Sequence, residues 1–310
     1  MSKLTAPAFK AEFLLPRYWP TLLMFGTMML ISLLPYRIQF LMGKGIGRLA
    51  IKLMKKRRFT IERNLELCFP EMTPEARKVM IQKNIDNAGL ALFETGMAWF
   101  WPEWRIKRHV RFEGVEYLDE LKQQGRGVLL VAAHSMNLEI GGRAFGVRAP
   151  GVGVYRPNNN PCFDYFQFKG RVRSNRYMLD RKDVKGMLRA LREGERVWYA
   201  PDHDYGPRRS TFAPFFAVDK ACTTTGTSIL VDATDCAIVP IAIIRDTDNG
   251  LYTLKIFKPL EGFPHKDPEA AAEFINRNAI EPIIQEAPEQ YMWLHRRFKT
   301  RPEGEASLYS

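Results

Sequence analysis

The sequence predicts an α/β fold, a mixed and largely parallel sheet flanked by helices, with a membrane-anchoring helix in front of it. Three observations carry this. Runs that read as strands recur along the chain, at 127–131, 152–155, 196–200, 237–244 and 252–258, and the first is short, apolar and β-branched. A buried parallel strand reads like that first run, as a continuous apolar stretch. Helical patterns lie between the earlier ones, notably at 183–193, and strands alternating with helices argue for a sheet covered on both faces. Ahead of all of them, between Arg17 and Arg37, comes an uncharged apolar run, YWPTLLMFGTMMLISLLPY.

That run has the length of a membrane span. A helix of nineteen residues is about 28 Å long, close to the roughly 30 Å hydrocarbon layer. Tyr18, Trp19 and Tyr36 sit where an interfacial aromatic belt would lie. The alternatives are a cleaved signal peptide and a hydrophobic core helix; against the first, Leu33-Leu34-Pro35-Tyr36-Arg37 has no small-residue cleavage site. Residues 1–43 are therefore expected to be a transmembrane anchor, and residues 44–310 a single cytoplasmic domain. The next stretch, KGIGRLAIKLMKKRRFTIERN, carries eight cations against Glu62 alone. Positive charge beside a span stays in the cytoplasm. Ile46, Leu49, Ala50, Leu53 and Met54 fall on one helical face, so this segment reads as a basic amphipathic helix on an anionic membrane leaflet. GKGIG at 43–47 is not a phosphate loop, since it lacks the GxGxxG pattern and follows no strand.

Thr73 followed by Pro74 predicts a helix start, with the helix running to about Phe100 before Pro102. Its far end is rich in Met and aromatic residues. A last helix is expected over 268–286, ahead of a basic tail. No linker splits the part after residue 43.

The composition is that of a folded protein, 46 % hydrophobic and 26 % charged. A net charge of +12 and a pI near 9.6 are unusual and predict an anionic partner. No nucleic-acid partner is expected, because no recognised module and no basic–aromatic interleaving occur. The four scattered cysteines read as reduced thiols, without CxxC spacing or a metal-ligand cluster.

The chemistry concentrates in GVLLVAAHSMNLEIGGR, residues 127–143: a strand, then His134, then Glu139 at the start of a helix. On one continuous helix a spacing of five would turn the two side chains apart. With His134 on the strand-to-helix turn, an ionised Glu139 can hold one ring nitrogen and leave the other free as a general base. Ser135 or Asn137 would cap the helix. No GxSxG elbow and no HExxH pattern occur, which argues against a serine hydrolase and a zinc site.

An HX4E motif after a strand resembles the glycerolipid and lipid A acyltransferases, and further blocks narrow this. RNLELCFPEM at 63–72, ETGMAWFWP at 94–102, GVYRPNNNP at 153–161, GRVRSN at 170–175, VWYAPDHDYGPR at 197–208, FAPFFAV at 212–218 and APEQYMWLHRRFKTRPEG at 287–304 resemble the bacterial lipid A secondary acyltransferases, nearest the lauroyl-transferring members. The resemblance spans almost the whole chain. It implies a glycerolipid acyltransferase-like fold and a monomeric enzyme at the inner membrane, without cofactor or metal. The enzyme would move an acyl chain, lauroyl first, from acidic acyl carrier protein to a hydroxyacyl chain of Kdo2-lipid IVA. Palmitoleoyl and myristoyl paralogues and phospholipid-pathway enzymes are the alternatives, and a membrane-bound binder of anionic lipid or RNA is the non-enzymatic one. His134 would be the base, Glu139 its orienting group, and transfer direct rather than through an acyl-enzyme. The resemblance also implies Arg171, with Arg173 beside it, for the oxyanion, and Asp202, with Asp204 less firmly, for positioning. Arg57, Arg58, Arg296, Arg297 and Lys299 are candidates for the acceptor's phosphates and Kdo carboxylates. FAPFFAVDK and the region of Trp99 are candidate walls of an acyl groove.

Overall fold

The computed structural model describes residues 3–310; Met1 and Ser2, the start of the expected anchor, lie outside the described residues. After two short 3-10 turns the chain forms α1 (Trp19–Leu33), α2 (Tyr36–Leu53), α3 (Lys55–Cys68), the long α4 (Pro74–Phe100) and α5 (Glu103–His109). Then follow β1 (Val110–Glu113), α6 (Val115–Gln123), β2 (Val128–Ala132), α7 (Leu138–Arg148), β3 (Gly151–Tyr155), α8 (Pro161–Val172), β4 (Asn175–Asp180), α9 (Val184–Arg192) and β5 (Arg196–Tyr199). A hairpin of β6 (Ser210–Phe215) and β7 (Val218–Thr224) precedes α10 (Gly226–Thr234), β8 (Ala237–Arg245), β9 (Tyr252–Ile256), α11 (Pro268–Ile275) and α12 (Glu281–Glu286).

The main sheet has seven strands in the order β1-β9-β8-β2-β5-β3-β4. Every neighbouring pair is parallel except β8 and β9. This matches the expected mixed, largely parallel sheet. β2 lies near its centre with all five residues buried, which accounts for its unbroken apolar sequence. β6 and β7 form a separate antiparallel ribbon, so FAPFFAV is a hairpin.

The expected transmembrane helix is not formed as such. Leu34 takes an extended conformation (φ −63°, ψ 155°) ahead of Pro35, and α1 stops at Leu33. Steric conflict with the proline ring disfavours helix at the preceding residue. The remaining fifteen residues of α1 reach about 22 Å. Among the described residues, no helix is long and apolar enough to cross a membrane. The expected break at residue 43 falls inside α2.

GKGIG has a packing role instead. Gly43 and Gly47 of α2 lie directly against Gly89 of α4. A Cβ on Gly89 would run into the Gly43 carbonyl oxygen and come within 2.6 Å of the Gly47 nitrogen. The two helices thus touch backbone to backbone, and α2 is fixed to the body of the protein. Thr73 caps α4 as expected, accepting from Ala76 N–H at 3.3 Å. The predicted last helix is interrupted by a π-turn at Asn276–Ile280.

Candidate active site

His134 and Asp202 meet because of strand register. β2 and β5 are parallel neighbours with Val131 opposite Tyr199. Three residues further on in each chain, past the carboxyl ends of the strands, stand His134 and Asp202. Open α/β sheets place their ligands at this edge. His134 Nδ1 lies 2.7 Å from Asp202 Oδ1, and the His134 backbone N–H donates to Asp202 Oδ2 at 3.0 Å. The Tyr291 hydroxyl donates to the same Oδ2 at 2.9 Å. Asp202 is fully buried, whereas the His134 side chain keeps 25 % of its surface.

The electrostatics follow from this geometry. Burial alone would raise the Asp202 pKa, but the His134 imidazole and its hydrogen bonds outweigh burial and hold it well below the usual carboxylate range. Burial alone would lower the His134 pKa, but Asp202 outweighs it and holds it above 6.5. An ionised Asp202 at Nδ1 places the ring proton there. Nε2 is left with a free lone pair and no protein partner among the described residues.

Tyr291 arrives on the carboxyl-terminal segment, which is stitched to the His134 loop. Ser135 and Tyr291 form an antiparallel bridge, Met136 N–H donates to Gln290 O at 2.8 Å, and Met292 N–H to His134 O at 3.1 Å. Asn84 of α4 holds this segment by donating to the carbonyls of Glu289 (2.9 Å) and Tyr291 (2.8 Å). Asn137 does not cap α7; its amide turns inward to Ile243 O (3.1 Å) and Gln290 Oε1 (2.8 Å). Sequence reasoning missed Tyr291, although it lies within the APEQYMWLHRRF block.

Glu139 is not the partner of His134. It sits in the first turn of α7 and points at α4 and α8, where it pairs with Arg171 and accepts from Trp99 Nε1 at 3.0 Å. The Arg171 Nε–H donates to Glu139 Oε1 at 3.1 Å, and Nη2 also bonds Oε1. Burial would raise the Glu139 pKa, but the Arg171 guanidinium outweighs it and lowers the pKa. Two ion pairs therefore replace the one dyad expected: His134 with Asp202, and Glu139 with Arg171. His134 lies on the turn before α7, as expected, but the first turn of α7 directs Glu139 toward Trp99 and Arg171 and away from it.

The other expected site residues divide clearly. Arg173 donates to the carbonyls of Trp99 and Trp101 at the end of α4, so its guanidinium tethers a helix. Asp204 accepts from Thr300 N–H (2.7 Å), Thr300 Oγ1 (2.8 Å) and Gly206 N–H (2.9 Å), tying its loop to the tail instead of reaching His134. Arg297 is 1 % exposed and donates to Cys222 O (2.7 Å) and Thr223 Oγ1 (3.1 Å). It supports the β6–β7 hairpin and has no surface to offer an acceptor phosphate. Arg296 lies over the Tyr309 ring and Lys299 is exposed. Arg57 donates to Leu294 O at 3.1 Å, and exposed Arg58 pairs with Glu62 at 2.9 Å. The four cysteines are buried and unpaired.

Two further histidines line up behind His134. The His203 ring stacks on His134 at a centroid distance of 3.6 Å with 13° between planes, and His295 stacks on His203 at 3.9 Å and 15°. Donor atoms of His134, Asp202 and His203 all lie within 4.8 Å of one another. The set suits a metal poorly. Near-parallel rings aim their nitrogens side by side, and Nδ1 of His134 is already bonded to Asp202. The arrangement has the geometry of a positioned base with one free nitrogen.

The sequence matches the model of the bacterial lipid A biosynthesis acyltransferase family over residues 6–300. The chain belongs to that family. It is 51 % identical to the lipid A biosynthesis lauroyltransferase of Escherichia coli (strain K12) over 98 % of this chain and 99 % of that one. It is 45 % identical to the palmitoleoyltransferase of the same organism, over 97 % and 98 %, and 45 % identical to a lipid A biosynthesis acyltransferase of Haemophilus influenzae, over 98 % of each. Among solved structures it is similar to the 1-acyl-sn-glycerophosphate acyltransferase of Thermotoga maritima, with a TM-score of 0.37 and 12 % identity over 77 % of this chain and 97 % of that one. This lipid A acyltransferase therefore has its expected family, and its HX4E histidine carries a different carboxylate from the one expected.

Proposed function

We propose that this lipid A acyltransferase moves a fatty acyl chain, lauroyl first, from acyl carrier protein to the hydroxyl of a hydroxyacyl chain on Kdo2-lipid IVA. The observation that supports this best is a half-open imidazole whose Nδ1 is held by a buried, ionised carboxylate and whose Nε2 is free. His134 Nε2 takes the acceptor hydroxyl proton as that oxygen attacks the thioester carbonyl. The tetrahedral adduct then expels the carrier thiolate, which recovers the proton from the imidazolium. A positioned base of this kind is typically worth roughly 10² to 10⁴ in rate. No acyl-enzyme and no cofactor enter the scheme. Asp202 fixes the tautomer and stabilises the imidazolium. Arg171, with Nε and Nη2 taken up by Glu139, acts on the oxyanion through its charge, and the Glu139–Arg171 pair shapes the wall beside the base.

Charge supports the two partners. Arg156, Arg181, Lys182 and Arg208 are exposed, have no ion pair among the described residues, and follow strands that end at the site edge. They would steer an acidic carrier protein. For the lipid, α1 and α2 expose Leu23, Leu30, Leu33, Leu41, Leu49 and Leu53, with exposed Lys52, Lys55 and Lys56 alongside. Such a face lies in an anionic membrane interface without crossing it. The test is product mass from Kdo2-lipid IVA and a mixture of C10 to C16 acyl carrier proteins, with a His134→Ala protein alongside. Addition of one lauroyl group, absent in the variant, is expected. Addition of a different acyl length changes the donor only, and no acylation by folded, acceptor-binding protein overturns the proposal.

A further inference from the structure

We propose that His203 and His295 are positioning residues, a two-ring backstop that sets the plane of the His134 imidazole and so the direction in which its Nε2 lone pair points. The inference rests on His134 acting as the base. Asp202 bonds the ring at a single atom, Nδ1. A hinge at one ring atom leaves the ring free to tilt about it. The lone pair of Nε2 lies in the ring plane, so tilt moves the line along which an acceptor hydroxyl must approach. Productive geometry tolerates only about 10–20° of such error. His203, parallel to within 13° and at 3.6 Å, occupies the space into which the ring would tilt, and His295 backs His203 at 3.9 Å.

The chemistry of the backstop fits a base that gains a charge each cycle. Two stacked cations at this distance would repel strongly. His203 stays neutral: burial, which outweighs the pull of Asp202, pushes its pKa down to about 3. His295 is also lowered, by burial first and then by Lys299. The imidazolium formed on His134 therefore meets an uncharged π face, a favourable partner for a cation. Nε2 of both His203 and His295 is buried without a protein hydrogen-bond partner, so ring faces and not polar atoms make the contact with the base.

The experiment separates ring from nitrogen. His203→Phe keeps a flat stacking ring without the polar atoms, and His203→Asn keeps polarity without the ring. His203→Phe should retain kcat within about threefold, whereas His203→Asn and His203→Ala should lose about tenfold or more with KM little changed, because small misplacements of reacting groups cost up to about 10² in rate. Histidine-labelled NMR gives a readout independent of turnover: ring-current upfield shifts of the His134 ring protons should persist in His203→Phe and vanish in His203→Asn. His295→Ala should show a smaller loss of the same kind. Full activity in His203→Asn, or rescue by Asn and not by Phe, overturns the backstop. If wild-type protein fails to acylate, or His134→Ala remains active, the function reading fails instead, and the NMR shifts still report on the stack.

Discussion

Replacing Asp202 with Asn should nearly abolish turnover while leaving the fold in place, and the hydrogen bonds say why. Asp202 Oδ2 accepts two hydrogen bonds, from the His134 backbone N–H at 3.0 Å and from the Tyr291 hydroxyl at 2.9 Å. An asparagine must therefore turn its carbonyl oxygen toward those two donors. Its NH2 group then faces His134 Nδ1, 2.7 Å away in the wild type. Nδ1 is forced to accept, the ring proton moves to Nε2, and the nitrogen aimed at the acceptor becomes a donor. A tautomer inverted in this way in the serine-protease triad lowers kcat by about 10⁴, and we expect a loss on the order of 10³ to 10⁴ here. Loss of the charge also removes imidazolium stabilisation, since a hydrogen bond to a charged group is worth about 1.5–3 kcal/mol. The assay is steady-state acylation at saturating acceptor, with circular dichroism and thermal melting on the same samples. KM should move less than about threefold, because Asp202 is buried and cannot touch substrate. If Asp202→Asn keeps more than about a tenth of wild-type kcat, the tautomer reasoning is wrong.

Five other outcomes are expected. With the neutral ring as the proposed base and its folded pKa above 6.5, kcat/KM should climb with pH through a midpoint above 6.5, and a midpoint below that value would refute the Asp202 coupling. In stability terms His134 contributes fully below 6.5 and loses its contribution as pH rises through its raised pKa; Asp202 contributes above 3.8 and loses its contribution as pH falls through its lowered one. Their pairing should therefore stabilise most between those limits, which melting temperature against pH can check. Glu139→Ala and Arg171→Met should be strongly non-additive in chemical denaturation, with a coupling of about 1–3 kcal/mol, and additive costs would deny the pair. Gly89→Ala should cost about 1–3 kcal/mol through overpacking of α4 on α2, measured as a lowered urea midpoint. Leu41→Glu with Leu49→Glu should release the protein from anionic vesicles in a flotation assay without lowering its melting temperature, since both side chains are more than 60 % exposed; unchanged flotation would move the membrane face elsewhere.

Much of this architecture was legible because buried parallel strands have nowhere to put a polar residue. β2, β3 and β8 stand out as apolar runs, and β9 as an alternating one with Thr253 and Lys255 on its less buried face. The short β1, with Arg111 and Glu113 exposed, and β4, with an exposed Arg176, carry no such signature. His134 could be singled out from its place after a strand. Its partner could not, because a carboxylate 68 residues away is brought in by strand order and register, which local pattern does not encode. Glu139 was nearer in sequence and of the right chemistry, yet α7 turns it toward Arg171. The uncharged run at 18–36 was measured by length, whereas Pro35 decides where helix stops. Arg296 and Arg297 have the same charge and adjacent numbers, and only the tail's path over the β6–β7 hairpin separates the exposed one from the buried one.

The bridge between Ser135 and Tyr291 has a consequence for how the enzyme comes into being. Asp202 and Tyr291 are separated by 89 positions. At about 5–20 residues per second, translation delivers Tyr291 on the order of 4–18 s after Asp202. Late in that interval, once β8 and β9 have been made, a nascent chain holds every strand of the sheet but lacks the segment that pins the histidine loop and completes the hydrogen bonds to Asp202. The hydrogen bonds around Asp202 are thus completed only once Tyr291 has been made, and a product terminated just before residue 287 would keep every strand of the sheet while lacking the clasp on the His134 loop.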